Sequence, residues 1–134
     1  MKKDKPSECW TVLDETDVFA APPFVRVVRQ AVALPDGTVI DDFYQVRLRS
    51  YAITVPLTED GKVIMIRQYK HGPGRVGFGF PSGFLDPDEK PVTGARREML
   101  EETGYKPLRM IRLGQYVDNG NQRGCEGHQF LALG

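Results

Sequence analysis

Three glutamates, Glu98, Glu101 and Glu102, lie within little more than one helical turn of each other. Side chains at positions i, i+3 and i+4 share a helix face, because an α-helix has about 3.6 residues per turn. Like charges on one face repel and destabilise the helix by a few tenths of a kcal/mol per pair, roughly. A divalent cation reverses that effect, because hard cations bind carboxylate and carbonyl oxygens. The spacing therefore indicates either a solvated acidic surface or a metal site.

The residues around the three glutamates follow a pattern with fixed spacing. It reads glycine, five residues, glutamate, seven residues, Arg-Glu, two residues, Glu-Glu, one residue, glycine. This pattern resembles the signature of the Nudix hydrolases, and Met99 and Tyr105 occupy its two apolar positions. The resemblance implies hydrolysis of a pyrophosphate bond in a nucleoside diphosphate linked to another group, with Mg²⁺ or Mn²⁺ as cofactor. The fixed positions are Gly83, Glu89, Arg97, Glu98, Glu101, Glu102 and Gly104.

Local signals place the glutamates on a short helix. Pro91 suits the first helical turn, where its missing N–H is no loss. Gly104 suits the residue after the last turn, where a left-handed backbone is accessible to glycine. We therefore predict a helix over roughly residues 91–103, with an apolar stripe that packs on a sheet. The stripe consists of Val92, Ala95, Met99 and the adjacent Leu100.

The resemblance also implies a role for each member of the signature. Glu98 and Glu102 are expected to bind the metal together with the main-chain carbonyl of Ser82, and Glu101 binds it directly or through water. The three glutamates are also the expected catalytic carboxylates. The structural members are expected to be Gly83, Glu89, Arg97 and Gly104, with Glu89 and Arg97 as an ion pair that ties the loop to the helix.

Outside the signature, the chain is similar to the ADP-ribose pyrophosphatase branch, which cleaves nucleoside diphosphate sugars. The similarity rests on Leu34–Gly37, Val63–Lys70 and Gly79–Gly83. In that branch the arginine of the Arg-Gln-Tyr segment lies near the diphosphate, so Arg67 is the expected clamp, since its planar fork matches phosphate oxygens. The alternative is a surface arginine at the end of a strand.

Two aromatic residues are candidates for contact with the base. Phe19 and Phe24 flank an Ala-Ala-Pro-Pro segment and are placed to stack on a base bound by the partner subunit, although aromatic residues beside prolines are also common in cores. Members of the branch form dimers through their N-terminal sheets. We therefore expect a homodimer with a small nucleotide as substrate.

Composition limits the classes of protein that remain. The chain has 134 residues, enough for one domain. Its 18 basic and 18 acidic residues cancel, which gives no electrostatic reason for a nucleic-acid partner. No apolar run approaches the roughly 20 residues that span a bilayer. Cys9 and Cys125 lack a metal-type spacing, and the expectation is free thiols in the cytoplasm.

The rest of the pattern predicts strands on both sides of one helix. We expect strands at residues 25–34, 39–49, 51–57, 63–69, 77–81, 108–116 and 128–133, with a polar loop at 118–127. The apolar run Val63–Ile66 is typical of a central strand covered on both faces. These elements predict an α/β (α+β) fold with a mixed sheet. The resemblance implies the Nudix fold, a mixed β-sheet between helices, with residues 1–48 as a preceding antiparallel region and 49–134 as the hydrolase domain.

The resemblance further implies that family members continue beyond Gly134 with a strand, a helix and a glutamate that serves as general base. We therefore expect the C-terminal part of the domain to be lacking. The chain would then bind Mg²⁺ but hydrolyse poorly, unless Glu98, Glu101 or Glu126 replaces that base. Two other functions stay open at this point: pyrophosphohydrolysis of nucleoside triphosphates, which the N-terminal region disfavours, and nucleotide binding without catalysis.

Overall fold

The computed structural model describes residues 8–134. Two compact units are present: the described residues up to Leu48 with Asp118–Cys125, and Arg49–Val117 with Glu126–Gly134. The described part holds one α-helix and nine strands. These are β1 (Thr11–Ala21), β2 (Val25–Ala33), β3 (Val39–Leu48), β4 (Tyr51–Leu57), β5 (Ile66–Lys70), β6 (Arg75–Gly79), β7 (Ser82–Phe84), α1 (Pro91–Thr103), β8 (Arg109–Asn119) and β9 (Arg123–Leu133).

The first unit is an antiparallel meander of β1, β2 and β3. Between β2 and β3 the chain turns through Gly37, whose φ of 87° favours glycine, and the Gly37 N–H donates to Leu34 O at 3.0 Å. The predicted strands and the turn between them are confirmed. At the end of β3, Val46 and Arg47 pair in parallel with the first residues of β9. The core of this unit includes Val28 and Val32 on β2.

The second unit is built around β4. This strand pairs in parallel with residues 127–133 of β9 and antiparallel with β7. Parallel and antiparallel neighbours on one strand make the sheet mixed, which confirms the predicted α+β class. Alternate residues of β4 are buried, and the most buried of them is Ala52.

Helix α1 has the bounds that its sequence predicts. It begins at Pro91 and ends at Thr103, and Gly104 adopts a left-handed φ of 77° while its N–H donates to Leu100 O at 2.9 Å. Ala95 packs in a core cluster with Ala52 and Phe130. The buried stripe of α1 is narrower than predicted. Ala95 and Met99 are buried, whereas Val92 and Leu100 are 38% and 41% exposed.

The strand predicted at residues 63–69 is wrong in part. Strand β5 begins only at Ile66 and pairs with β6 in a two-stranded sheet, while Val63 makes an isolated bridge to Leu57. Pro56 explains the interruption: its carbonyl accepts from Ile64 N–H at 3.1 Å, but proline has no N–H to continue the ladder. Val63 and Met65 are 46% and 48% exposed, so the expected cover on both faces is also wrong for the described residues.

The polar loop predicted at residues 118–127 is largely strand. Strand β8 continues to Asn119 and β9 begins at Arg123. The Asn119 side chain makes this possible, since its Oδ1 accepts from the N–H groups of Asn121 and Gln122 at 2.9 and 3.0 Å and closes a tight turn. The strand predicted at 77–81 is found as β6, and β7 was not predicted. No helix in the described part of the chain is long and apolar enough to cross a lipid bilayer.

Candidate active site

The carboxylate of Glu98 lies directly against the backbone of Gly83. A Cβ atom on Gly83 would lie 2.1 Å from the Glu98 carboxyl carbon and 2.3 Å from both of its oxygens. No side chain other than glycine's hydrogen fits there without displacing the carboxylate. The glycine of the signature is therefore required for space, where β7 passes the second turn of α1.

Glu102 is held by the residue before that glycine. The Ser82 N–H donates to Glu102 Oε2 at 2.8 Å. Burial raises the pKa of Glu102, and the negative charges of Glu98 and Glu101 add to the rise, against the Ser82 hydrogen bond and the positive charge of Lys70. Glu98 and Glu102 therefore contact the backbone at the consecutive residues Gly83 and Ser82. The negative charge of Glu98 contributes to the raised pKa of Glu102.

Arg97 connects the loop to the helix through a forked ion pair. Its Nε and Nη2 donate to the two oxygens of Glu89, each at 3.0 Å, and Nη2 also donates to Phe84 O at 3.1 Å. The hydrogen bonds from Arg97 lower the pKa of Glu89 to about 2. Arg97 Nη1 donates to Glu98 Oε1 at 2.5 Å and lies 3.5 Å from Glu101 Oε2. The guanidinium thus fixes the loop and one carboxylate of the cluster at the same time.

Gly94 belongs to this arrangement although the signature leaves its position unspecified. A Cβ atom there would lie 2.4 Å from Leu85 Cδ2 and 3.0 Å from Glu89 Oε2. Glu89 Oε2 also accepts from the Asp86 N–H at 3.0 Å. Gly94 therefore allows the loop to pack onto the first turn of α1, and no local signal in the sequence distinguishes it from a weak helix position.

The carboxylates suit a divalent cation in their chemistry. Glu98 and Glu102 offer hard oxygen donors beside the main chain of Ser82 and Gly83, and the Gly83 cradle keeps the Glu98 carboxylate in place. Among residues 8–134, no three His, Cys, Asp or Glu side chains are arranged as a finished metal site. Glu98 and Glu102 are therefore two carboxylates held beside the same stretch of main chain, and Glu98 also accepts from Arg97 Nη1.

A model of the NUDIX domain matches residues 47–132, well over half of the chain. The chain belongs to the Nudix family. It is 31% identical, over 83% of its length, to the CMP-5'-(N-acetyl-N-hydroxy-3-aminopropyl)phosphonate hydrolase of Streptomyces rubellomurinus, and it covers 53% of that protein. It is 32% identical, over 57% of its length, to the ADP-ribose pyrophosphatase of Bacillus subtilis and covers 41% of it. The chain thus spans about half the length of these relatives.

The fold of this Nudix chain also has a solved counterpart. The crystal structure of an ADP compounds hydrolase superposes with a TM-score of 0.75 over 97% of this chain and 70% of that one. The two sequences are 22% identical. The match confirms the Nudix fold that the signature implied.

Strand β5 carries two cationic residues: Arg67, which the sequence singles out, and Lys70, which it does not. Neighbouring residues of a strand point to opposite faces. On β5, Arg67 shares a face with Tyr69 and pairs with Phe78, whereas Lys70 belongs to the opposite face. Lys70 is the residue whose positive charge lowers the pKa of Glu102. No local motif marks Lys70; its relation to Glu102 depends on the folded chain.

In the other unit, the aromatic candidates Phe19 and Phe24 are 57% and 67% exposed. They are not core residues of the described part. The sequence did not single out Trp10, which meets Phe43 edge to face with ring centroids 5.7 Å apart. Both rings line a cavity of about 280 Å³ in the same unit.

Glu126 lies on strand β9, whereas the sequence pattern predicted that it lies in a polar loop at residues 118–127. Its Oε1 accepts from Gln115 Nε2 at 2.5 Å and lies 3.6 Å from His128 Nε2. Gln115 and His128 line a cavity at the Pro91 end of α1. Ten residues of helix, about 15 Å, separate Pro91 from Glu101. This placement argues against Glu126 as a substitute base for the Nudix carboxylates.

Proposed function

We propose that the protein hydrolyses the pyrophosphate bond of a nucleoside diphosphate linked to a second group, with ADP-ribose or a related nucleoside diphosphate sugar as the substrate and Mg²⁺ or Mn²⁺ as the cofactor. The observation that carries this proposal is the placement of Glu98 and Glu102 against the backbone of Gly83 and Ser82. Family membership supplies the reaction class, and the carboxylates are where its metal requirement would be met.

Glu98, Glu102 and the Ser82 carbonyl would hold the cation, with Glu101 as a further ligand, direct or through water. When bound, a divalent cation neutralises charge on the diphosphate and makes a coordinated water more acidic. The described residues prepare for this in two ways. Arg97 fixes Glu98, and the Ser82 N–H fixes Glu102.

Glu101 is the carboxylate of the three that we propose as general base. Its side chain is 59% exposed, and its contact with Arg97 Nη1, at 3.5 Å, is the longest in the cluster. A base needs freedom to approach an attacking water and an oxygen that is not already saturated with donors. Glu98 lacks that freedom, because the 2.5 Å contact with Arg97 occupies one of its oxygens.

The diphosphate needs a cation of its own, and β5 offers two. Arg67 is the clamp that the sequence singles out, and its fork matches two phosphate oxygens. Lys70 is favoured by its electrostatic effect on Glu102. We propose that at least one of them binds the diphosphate, and that Phe19 or Phe24 stacks on the base from a partner subunit.

A homodimer through the N-terminal β region fits the exposed surface of β1. Large apolar side chains on this strand are more than half exposed, which is unusual for a stable solvent-facing strand. Val12, Leu13, Val18 and Phe19 are 53–57% exposed. Free Cys9 and Cys125 suit the reducing cytoplasm, where we propose the protein resides.

A second candidate substrate class follows from the most extensive of the reported relatives. The Streptomyces protein, which aligns with 83% of this chain, is named for a CMP-linked phosphonate. Its substrate and ADP-ribose are both nucleotides that carry another group. A nucleotide joined to a phosphonate is therefore the alternative to a nucleoside diphosphate sugar.

A substrate panel tests the proposed function. The protein is incubated with Mg²⁺ and ADP-ribose, a second nucleoside diphosphate sugar, a CMP-linked phosphonate or a nucleoside triphosphate, and the products are separated by chromatography. Release of a nucleoside monophosphate from ADP-ribose or the sugar is expected. The proposal would be contradicted if the triphosphate were the only substrate hydrolysed, with release of pyrophosphate. It would also be contradicted if a chelator did not affect hydrolysis.

A further inference from the structure

A second cavity lies at the opposite end of α1 from Glu101 and Glu102. Its volume is about 450 Å³, within the range of small-molecule sites in proteins. Its lining includes the apolar side chains of Val92, Met110 and Phe130. Such a surface suits a flat, apolar group such as an aromatic ring.

Polar residues of the lining are connected by hydrogen bonds. Arg112 Nη2 donates to Gln115 Oε1 at 2.8 Å, and Gln115 Nε2 donates to Glu126 Oε1 at 2.5 Å. The amide of Gln115 therefore links the guanidinium to the carboxylate. Arg112 retains further N–H donors for an anion at the rim, because a guanidinium carries five.

The start of α1 adds a second source of positive potential. Pro91 and Val92 line the cavity, and the helix has neither a side-chain hydrogen bond at its N-cap, Lys90, nor an acidic residue in its first turn. The partial positive charge of the helix N-terminus is therefore not neutralised locally. An anionic group between Arg112 and this terminus would be stabilised by both.

His128 provides an independent indication of a ligand. It lines the cavity and is only 7% exposed. Its Nδ1 has no hydrogen-bond partner among the residues that the structure describes. Nε2 faces the Glu126 carboxylate at 3.6 Å, which favours the proton on Nε2 and leaves Nδ1 as an acceptor. A buried acceptor without a donor is destabilising. His128 lines the cavity, so a ligand N–H bound there would supply that donor.

We propose that this cavity binds a nucleoside 5'-monophosphate. The phosphate is placed between Arg112 and the N-terminus of α1, and the base lies on Val92, Met110 and Phe130. An amino group of the base donates to His128 Nδ1. Such a molecule is the product class of the proposed hydrolysis, but the site shares no residue with the carboxylate cluster, so binding here does not depend on that hydrolysis.

Calorimetric titration of AMP into the protein in the presence of EDTA tests this site, because the chelator keeps the carboxylate cluster free of metal. AMP is expected to bind, and Arg112→Gln is expected to weaken it about tenfold or more, the loss of one charge-assisted hydrogen bond. Arg109→Gln, which removes an exposed arginine at the start of the same strand, is the matched control and should bind AMP as the wild type does. Inorganic phosphate and adenosine, each lacking half of the contacts, should bind more weakly than AMP.

Three results would overturn the proposal: AMP that does not bind at millimolar concentration, equal affinity in wild type and Arg112→Gln, or AMP binding abolished by Glu102→Gln. The last would place AMP at the carboxylates. NMR of the wild type tests the role of His128, because substitution of this buried residue would disturb the fold. Its Nδ1 resonance should shift on addition of AMP and stay unchanged with inorganic phosphate; an unmoved resonance at saturating AMP would contradict the contact.

Discussion

Gly83 leaves the space that the Glu98 carboxylate occupies, since a Cβ on Gly83 would lie 2.1 Å from the Glu98 carboxyl carbon. Gly83 is not among the glycines with positive φ, so its backbone conformation is open to other residues. The requirement for glycine is therefore spatial. It links the first fixed position of the signature to the first glutamate of its acidic cluster.

Gly83→Ala should displace the Glu98 carboxylate and impair metal-dependent activity more than stability. We expect kcat/KM to fall by about 100-fold or more, because a carboxylate that moves by an ångström no longer holds its ligand geometry. Gly79→Ala is the matched control, since a Cβ at Gly79 meets nothing within 4 Å. Steady-state kinetics of both variants test this prediction, and equal values of kcat/KM would contradict the spatial role of Gly83.

Glu102→Gln should stabilise the metal-free protein while removing its response to Mg²⁺. Burial and neighbouring carboxylates raise the pKa of Glu102, so its ionised form disfavours folding and stability decreases as pH rises through that pKa. At pH 7 the glutamine amide is uncharged, so the variant lacks this destabilisation. Thermal unfolding in EDTA should show a higher Tm for the variant, and added Mg²⁺ should raise the Tm of the wild type only.

Glu59→Gln controls for the loss of one negative charge, because Glu59 is exposed in a turn. It should keep the response to Mg²⁺. An unchanged response in Glu102→Gln would show that Glu102 does not hold the cation.

The ion pair of Glu89 and Arg97 predicts an acid-sensitive contribution to stability. The pKa of Glu89 is lowered to about 2 from an ordinary 4.5, so the stabilisation is fully present above pH 4.5 and is lost as pH falls towards 2. Glu89→Gln should cost about 1.5–3 kcal/mol at pH 7. Denaturant unfolding of both proteins should show this difference shrinking between pH 4.5 and 3, and a difference independent of pH would refute the assignment.

The two cations of β5 can be separated by their effect on substrate binding. Arg67→Gln and Lys70→Gln should each be measured with the best substrate of the panel. The residue that contacts the diphosphate should lower kcat/KM by about tenfold or more when neutralised, through lost charge-assisted hydrogen bonds. If kcat/KM is unchanged in the other variant, only one of the two residues contacts the diphosphate. If neither variant changes kcat/KM, the diphosphate clamp lies outside β5.

The exposed apolar side chains of the N-terminal β region predict association between copies. A variant with Val18→Ser and Phe19→Ser should shift the protein from dimer to monomer in light scattering coupled to size-exclusion chromatography. Both positions are solvent-exposed in the single chain, so the monomer should remain folded. A wild type that is monomeric at micromolar concentration would rule out the proposed interface.

Local signals in the sequence were sufficient for α1. Pro91 and Gly104 act on the residues next to them, so the bounds of the helix could be predicted to the residue. The Gly37 turn is similar, because its φ of 87° is a property of one residue. Where structure depends on a few adjacent positions, the sequence alone was informative.

Features that depend on distant residues were missed. The delayed start of β5 depends on Pro56, which cannot donate to Ile64, although the apolar run at residues 63–66 looks like an uninterrupted strand. The influence of Lys70 on Glu102 and the fit of Gly94 against Leu85 also arise only in the folded chain. The signature marks which residues matter, but not the contacts through which they act.

Binding of Mn²⁺, followed by electron paramagnetic resonance, tests the metal site at Glu98 and Glu102 most directly. The wild type should bind the ion, and Glu98→Gln and Glu102→Gln should each weaken binding by about tenfold or more, since each removes a charged oxygen ligand. Glu59→Gln should bind as the wild type does. Undiminished Mn²⁺ binding by both Glu98→Gln and Glu102→Gln would contradict the account.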